Sequence, residues 1–429
     1  MKRSVLIFFA AVSMLFTGCT DNSYRGLLDV EDSGHQAVPL PIWIQIGEPV
    51  GPLQEPLKSM SKGTGSITGA ESFVDRPIYI YAFNQEMSTS LSTVWEEDLT
   101  RCLIDASIDT PGAKGGRKAY YDKEKQLVRW DRGGDLYWPL GEETGNRYDF
   151  FAYYIDDMVL EEDAIHRSDD AVIIDIEIDG MQDVMSSKAS PTDDKLASVF
   201  PEPEDGKGSK EELEEIYKER HLYKTYYCYG YQAALKTLYP EFIFKHHLVK
   251  LDFCVKPGLT SGYLNKMKID GIRVTSKCKA AFTVADKSDP TNVGLVFDEK
   301  EEKQMEVREA DGSPLKTDET YEFWTRGSTQ TKLEPIMIGS SLLVAPDADY
   351  DIEVTLTERR YEDGEEKWAR EGYVHATTVK IPSARFEAGS EYLITFGVAG
   401  TMDISISAEI ADWENGGGHI YDKEERPGE

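Results

Sequence analysis

Four carboxylates have the spacing of a calcium-binding loop. They stand at positions one, three, five and twelve of that loop, and they are Asp347, Asp349, Asp351 and Glu358. In an EF-hand these positions supply oxygen ligands, and position six must be glycine for the sharp turn. Position six here is Ile352, and residues 351–357 alternate between polar and apolar types as a strand does. The sequence therefore predicts a turn that leads into a strand, and no metal site.

Two adjacent histidines, His246 and His247, are the second set that could bind a metal. Adjacent strand residues point to opposite faces, so the two rings cannot readily share one ion, and we expect core or turn positions. The sequence lacks the motifs of P-loops, zinc proteases, serine hydrolases and dinucleotide-binding folds. With 78 acidic residues, close carboxylate pairs arise by chance. The sequence thus predicts no enzyme, no cofactor and no metal.

Four aromatic side chains could stack on sugar rings, namely Trp95, Trp130, Tyr137 and Trp138. Aromatic side chains of β-sandwich proteins more often pack in the core or at an interface. The sequence favours core positions, and sugar binding stays an alternative.

Cys19 is the residue to which the sequence assigns a covalent modification. Lys2 and Arg3 precede an apolar run over residues 5–16, and Thr17-Gly18 lead into the cysteine. The run is too short to span a bilayer, and it resembles a bacterial lipoprotein signal that is cleaved before the lipidated cysteine. Residues 1–18 are therefore expected to be a signal peptide, and the lipid is expected to be the only membrane attachment. An ordinary secretory signal is the alternative, and either signal directs the protein out of the cytoplasm.

The other cysteines have neither C-x-x-C spacing nor histidine partners at zinc-site distance, and they are Cys102, Cys228, Cys254 and Cys278. Cys254 and Cys278 lie on two predicted strands that could be neighbours, so one disulfide could form in an oxidising compartment. The alternative is that all four cysteines are buried free thiols, and the sequence does not decide between the two.

The formal net charge of the chain is −31. A surface this acidic repels nucleic acid phosphates and anionic lipid headgroups. Nucleic acid is therefore not an expected partner.

Most elements of this chain are predicted as strands because apolar residues recur every second position. The strand candidates are residues 78–83, 148–154, 172–178, 249–255, 269–274, 281–284, 352–357, 373–381, 392–398 and 402–410. One helix is predicted over residues 211–220, since Ser209 and Glu212 form a capping box. Many short strands with a single helix indicate an all-β protein built from β-sandwiches.

The domain organisation follows from a loop and a composition change. Residues 201–208 read as a loop, and we place a boundary near residue 238. One sandwich domain is expected over residues 63–238 and a second over 239–414. The glycine-rich tail 415–429 is predicted to be flexible.

A segment near the N-terminus carries five aliphatic residues at alternate positions, namely Val38, Leu40, Ile42, Ile44 and Ile46. Pro39 and Pro41 occupy the other face, and they cannot donate to a central ladder, so we expect an edge strand at most. The stretch that follows, residues 48–66, is rich in glycine, proline, serine and lysine. The sequence thus predicts a detachable strand with a linker that a protease can cut.

Several short motifs follow one another in a defined order along the chain. The motifs are Tyr-Ile-Tyr-Ala-Phe at 79–83, Tyr-Trp-Pro at 137–139, residues 148–154, Gln-Asp-Val-Met at 182–185, residues 244–251, and Trp-Glu-Asn-Gly at 413–416. In this order the motifs resemble those of the fimbrillin-like proteins of Bacteroidetes, and the resemblance runs from the lipoprotein signal to Gly416. It implies two transthyretin-like β-sandwich domains in tandem, with a minor helix in the first.

The resemblance also implies a mode of assembly. In that family a lipidated precursor reaches the outer membrane, and a trypsin-like protease cuts after a basic residue and removes the first strand. A strand of the next subunit then fills the groove by β-augmentation. On this chain the propeptide would be residues 19–62, cut after Lys62 or, as a second candidate, Lys58. The donor strand candidate carries Met402, Ile404, Ile406, Ala408 and Ile410.

Three roles remain open on the sequence. The first is a structural pilus subunit, with other pilin subunits and the maturation protease as partners. The second is a pilus anchor or a tip adhesin that keeps its N-terminal strand and contacts a host or bacterial surface. The third is a surface glycan-binding lipoprotein. All three place the protein at the outer membrane or in a cell-surface fimbria.

Overall fold

The structure is a computed structural model of the chain. It describes residues 38–47, 69–85, 90–140, 145–156, 160–203, 207–258, 264–288, 293–325, 335–381 and 385–411. Of the described residues, strands account for 47% and helices of all types, including short 3-10 helices, for 14%. The prediction of an all-β, sandwich-like protein is confirmed.

The strands, in chain order, are β1 Gln45–Ile46, β2 Ile78–Asn84, β3 Cys102–Ile104, β4 Arg117–Asp122, β5 Leu127–Trp130, β6 Tyr148–Ile155, β7 Ile165–Arg167, β8 Ala171–Glu177, β9 Val184–Lys188, β10 Glu241–Phe242, β11 Lys245–His246, β12 Val249–Pro257, β13 Leu264–Lys277, β14 Lys279–Asp286, β15 Gly294–Phe297, β16 Glu302–Glu306, β17 Glu322–Trp324, β18 Ile336–Met337, β19 Leu342–Val344, β20 Asp349–Glu362, β21 Glu365–Lys380, β22 Glu391–Gly400 and β23 Asp403–Ala411. The helices are α1 Asp193–Val199, α2 Lys210–Tyr226 and α3 Tyr231–Leu235.

These strands form five sheets. The largest has the order β11-β9-β6-β2-β4-β5, with β3 also paired to β2. Two five-stranded sheets have the orders β18-β12-β22-β23, with β19 on β12, and β16-β13-β20-β21, with β17 on β13. A four-stranded sheet has the order β15-β14-β8-β7, and β1 pairs with β10 in parallel.

The seven-stranded sheet separates two hydrophobic cores, because both of its faces are apolar. On β2, Ile80 and Ala82 belong to the first core, whereas Tyr81 and Phe83 belong to the second. The first core lies against residues 42–46 and the three helices, and the second is shared with the other large sheets. Along this part of β2, even-numbered side chains thus belong to the first core and odd-numbered side chains to the second.

All ten predicted strands are present, with bounds that shift by a few residues. The carboxylates of the calcium-like pattern lie on or next to one strand, β20, and have separate partners. Lys277 pairs with Asp347 at 3.1 Å, and Lys380 pairs with Asp349 at 2.8 Å. The prediction of a strand at 351–357 is confirmed.

The predicted helix is α2, and its capping box is formed in both directions between Ser209 and Glu212. The helix continues to Tyr226, beyond the predicted end. Helices α1 and α3 were not expected, although Thr192 caps α1 by accepting from the amide of Lys195. A threonine followed by two aspartates is the signal that could have predicted α1.

Strands from both sides of the predicted boundary near residue 238 share one sheet. Strand β8 pairs along its length with β14, from Ala171 opposite Asp286 to Glu177 opposite Lys279, with a shift of register between Thr283 and Ala285. The second core likewise contains residues from both halves of the chain. The two-domain division stays a prediction.

The four cysteines outside the signal region, Cys102, Cys228, Cys254 and Cys278, are all buried and free. The disulfide considered for Cys254 and Cys278 is therefore not formed. The Cys254 thiol instead lies 3.2 Å from the hydroxyl of Thr395.

A buried ion pair fastens the segment around residues 90–115 to β7. A guanidinium nitrogen of Arg167 lies 2.8 Å from Asp105 Oδ2, and the two side chains are 4% and 0% exposed. Arg167 also donates to the carbonyl oxygens of Leu91 and Thr93, and Asp105 accepts from the amide of Ser107. Each contact of Arg167 joins distant parts of the chain, so the pair holds loop and sheet together.

We expect Arg167→Met to lower the free energy of unfolding by about 3 kcal/mol, because the variant leaves the Asp105 charge buried without its partner. Urea denaturation measures the loss. Arg273→Met is the matched control, since the Arg273–Glu306 pair is about half exposed and should cost less than about 1 kcal/mol. Equal losses in the two variants would contradict the role given to Arg167.

His246 and His247 have different neighbours, as expected for core or turn positions. Nδ1 of His246 lies 2.9 Å from Asp183 Oδ2, whereas Nε2 of His247 is 2.6 Å from the Ser186 hydroxyl. The His247 ring packs edge-on against Phe282. Burial, with smaller effects from His246 and Lys245, lowers the pKa of His247 to about 4.

This lowered pKa predicts a loss of stability in acid. Between about pH 6.5 and 4 the unfolded chain binds a proton at His247 that the folded chain does not, so folding is progressively disfavoured as the pH falls through this range, by about 3 kcal/mol in total. We expect His247→Gln to flatten this dependence in urea denaturation at pH 7 and pH 4.5. His221→Gln, on an exposed residue of α2, should leave it unchanged, and a wild-type slope in His247→Gln would contradict the assignment.

Candidate functional site: the segment 38–47

Segment 38–47 lies in the first core, and its even-numbered side chains from residue 42 onward are buried. Ile42, Ile44 and Ile46 are 6%, 1% and 9% exposed. Leu40 packs partly buried against the same core, whereas Val38 is 71% exposed. The aliphatic alternation thus corresponds to three buried side chains, one at the margin and one in solvent.

One edge of the segment bonds to residues 128–138. The amide of Ile42 donates to the carbonyl of Leu136 at 2.7 Å, and the amide of Trp138 donates to the carbonyl of Leu40 at 3.0 Å. Further along, the amide of Val128 donates to the carbonyl of Ile44. The backbone groups used on this edge all belong to even-numbered residues of the segment.

The other edge bonds to residues 240–242. The amides of Gln45 and Gly47 donate to the carbonyls of Pro240 and Phe242, at 2.8 and 2.9 Å. The segment therefore has hydrogen bonds on both edges, but its strand β1 pairs with β10 alone in a two-stranded sheet, which agrees with the prediction of an edge strand at most. Pro39 and Pro41 occupy odd positions ahead of the pairing with β10, where no amide donor is required.

Three side-chain contacts add to this pairing. The Tyr231 hydroxyl donates to the carbonyl of Val38 at 3.1 Å. Lys195 Nζ of α1 donates to the side-chain oxygen of Gln45 at 3.0 Å, and the exposed Trp43 ring meets Tyr239 edge-on at 5.3 Å. Helix α3 therefore contacts the start of the segment, the loop after α3 contacts its middle, and α1 contacts it near its end.

The first core around the segment is built largely from aromatic rings in mutual contact. Trp138 and Phe150 pack edge-on at 5.8 Å, and Phe73 lies 4.9 Å from Phe244. Trp138 and Phe150 are 1% or less exposed. Trp95 and Trp130 are also partly buried against the cores, so these tryptophans are core residues as favoured from the sequence.

Four of the five predicted donor residues lie on β23, at the end of a five-stranded sheet. Strand β23 pairs antiparallel with β22, from Glu391 opposite Ala411 to Gly400 opposite Asp403. Ile404, Ile406 and Ala408 are half-buried against the second core, and Met402 is 75% exposed just before the strand. Ile410 lies within β23. Within the described part of the chain, the outer edge of β23 has no strand partner.

The remaining predicted site residues, Cys19, Lys58 and Lys62, lie outside the described residues, as does the tail from residue 412. In the part of the chain that is described, no group of three or more His, Cys, Asp or Glu residues could hold a metal ion. None of the described helices is long and apolar enough to cross a membrane.

No family model matches the chain, and no curated protein matches it. Among solved structures, the chain is similar to a fimbrial protein from Bacteroides vulgatus, with 12% identity, a TM-score of 0.45 and coverage of 87% of this chain and 99% of that one. It is also similar to the C-terminally truncated tip fimbrial protein Mfa3 from Porphyromonas gingivalis, with 9% identity, a TM-score of 0.32 and coverage of 87% and 99%. Scores this low carry no inference about function, which must be argued from the chain itself.

Proposed function

We propose that this protein is a structural subunit of a cell-surface fimbria, exported as a lipoprotein and assembled at the outer membrane by exchange of a strand. The observation that carries the proposal is segment 38–47. It is a short stretch, bonded on both edges, with three buried isoleucines, and its removal would leave a groove of matching length. A trypsin-like protease would cut the linker that follows, at Lys62 or Lys58.

Burial energies favour replacement of segment 38–47 by another strand over its removal alone. Burial of three isoleucine side chains contributes about 5–9 kcal/mol, and an empty groove would return that area to water. A strand from a second copy can restore both ladders and refill the core. While the segment is joined to the chain, its effective concentration at the groove is high, and cutting the linker removes this advantage. Cleavage would thus favour replacement of the segment by a donor strand that belongs to a neighbouring subunit.

The donor we propose is β23. It is an edge strand at the C-terminal end of the described chain, and its apolar residues recur at the same spacing of two as Ile42, Ile44 and Ile46. Its inward side chains are only half-buried, so leaving its present position costs less than extracting a central strand would. The strand can therefore exchange partners without disrupting a whole sheet.

Intact-mass analysis and N-terminal sequencing of the protein from its native membrane test this function. A chain that starts at Gly63, or elsewhere between residues 59 and 77, is the expected result. A single species that starts at lipidated Cys19 would overturn the subunit role. That outcome would favour an anchor or tip protein in which segment 38–47 stays in its groove.

A further inference from the structure

A cavity of about 420 Å³ lies on the opposite face of the seven-stranded sheet from segment 38–47. Its inner wall includes Phe83 of β2 and Phe151 of β6, both of which belong to the second core. Its outer wall includes residues at the end of α2 and Lys287, which follows β14. The cavity is thus separate from the proposed exchange groove, and its volume is in the range of small-molecule sites.

Two tyrosines give the cavity an aromatic wall. Tyr226 is 49% exposed, and Tyr227 is half-buried. Tyr227 has a φ of +47°, in the left-handed region that bulky residues rarely adopt. The geometry is held from both sides, because the Tyr227 amide donates to the Tyr223 carbonyl and its carbonyl accepts from Lys188 Nζ. Tyr227 is the C-cap of α2, so the end of the helix fixes its backbone beside the cavity.

The charge of the lining is opposite to that of the chain. Arg147 is exposed in the lining, and no carboxylate of the described residues lies within ion-pair distance of its guanidinium. Lys287 adds a second cation, and it also has an interaction partner of its own. Asp149 is the acidic residue among the lining side chains described, and it is already paired with the buried Lys188. On a chain of net charge −31, this cavity is a local site for an anion.

We propose that this cavity binds a sugar residue that carries a carboxylate. The carboxylate would take two parallel hydrogen bonds from Arg147, the geometry that a guanidinium favours. The apolar face of the ring would lie against Tyr226 and Tyr227, and the hydroxyls of Thr225 and the tyrosines could bond to the sugar hydroxyls. A neutral sugar cannot form the ion pair with Arg147, and a simple carboxylate has no ring to lie against the two tyrosines.

Titration of the purified full-length protein tests this assignment, followed by saturation-transfer NMR and calorimetry. The probes are glucuronic acid and N-acetylneuraminic acid, with glucose and acetate as comparisons. We expect saturable binding of at least one acidic sugar with a Kd of about 1 mM or below, and affinities at least about tenfold weaker for glucose and acetate. An acidic sugar that does not bind, or that binds no better than glucose or acetate, overturns the proposal.

Two variants locate the binding site. Arg147→Gln should weaken the acidic sugar at least about tenfold, as expected for loss of a charged bidentate contact, and should leave the melting temperature unchanged because the side chain is exposed. Arg129→Gln is the matched control, since Arg129 is also exposed beside a tyrosine ring, Tyr120 at 4.9 Å, on another part of the surface. Equal effects of the two variants would overturn the site. A glycan that ends in the same sugar can be compared with the free sugar. Tighter binding of the glycan would identify a glycan as the natural source of the acidic sugar.

Discussion

The variant Ile44→Asp should release segment 38–47 from its groove without any cleavage. Ile44 is the most buried residue of the segment, with 1% of its surface exposed. The variant loses about 2–3 kcal/mol of apolar burial and must also bury or expel a carboxylate, so we expect a total loss of about 5 kcal/mol. That loss is comparable with the whole burial contribution of the three isoleucines, and the segment should therefore detach.

Hydrogen exchange resolves this detachment amide by amide. The amides of Ile42, Gln45 and Gly47 donate into the groove walls, and those of Val128 and Trp138 donate into the segment. All five should exchange faster in Ile44→Asp. Amides in β20, which belongs to another sheet, should keep their protection and show that the rest of the protein remains folded.

Trp43→Asp is the matched control for this experiment. Trp43 is the neighbouring residue, but its ring is 42% exposed and touches only the edge of the Tyr239 ring in the contacts described. We expect a loss of about 1 kcal/mol or less and unchanged protection of the five amides. If Ile44→Asp kept full protection as well, the buried isoleucines would not be what holds the segment.

The segment also shows how far the sequence could predict the site. The alternation of Ile42, Ile44 and Ile46 is visible in the sequence, and their burial follows from it. The two sets of hydrogen-bond partners of the segment cannot be predicted from the sequence, because Leu136 and Pro240 lie far away in the chain and have no pattern that links them to the segment. Val38 has the same residue type and spacing as the others but is exposed, since the first core does not extend to it.

The sheets show the same division between periodic and non-periodic elements. Strand β22 could be predicted because Ile394, Phe396 and Val398 are buried at alternate positions. Strand β16 could not, because it reads Glu-Lys-Gln-Met-Glu and buries only Met305. A strand at the edge of a sheet needs no apolar face when its neighbour supplies the hydrogen bonds. The Asp105–Arg167 pair is likewise a product of tertiary structure, and no local spacing marks it.

The register of the proposed exchange can be argued from side-chain volume. The groove holds three isoleucines at a spacing of two, and β23 with Met402 offers several runs of three at the same spacing. A run that includes Ala408 would leave a cavity, and an alanine in place of a buried isoleucine costs about 2–5 kcal/mol. Met402, Ile404 and Ile406 fill all three positions with side chains of similar volume, so we expect this register.

The double variant Ile404→Asp, Ile406→Asp should therefore abolish polymerisation while the monomer stays folded. Both side chains are half-buried on an edge strand, so the monomer can let β23 fray, whereas the groove of a second copy would bury both carboxylates completely. Analytical ultracentrifugation of protein cut in the linker measures the effect, and we expect polymers of the wild type and monomers of the variant. The matched control is Ser405→Asp, Ser407→Asp, which places two charges on the exposed residues of the same strand and should still polymerise. Polymers of the isoleucine variant that match the wild type would exclude β23 as the donor, whereas loss of assembly in both variants would mean that added charge alone prevents it.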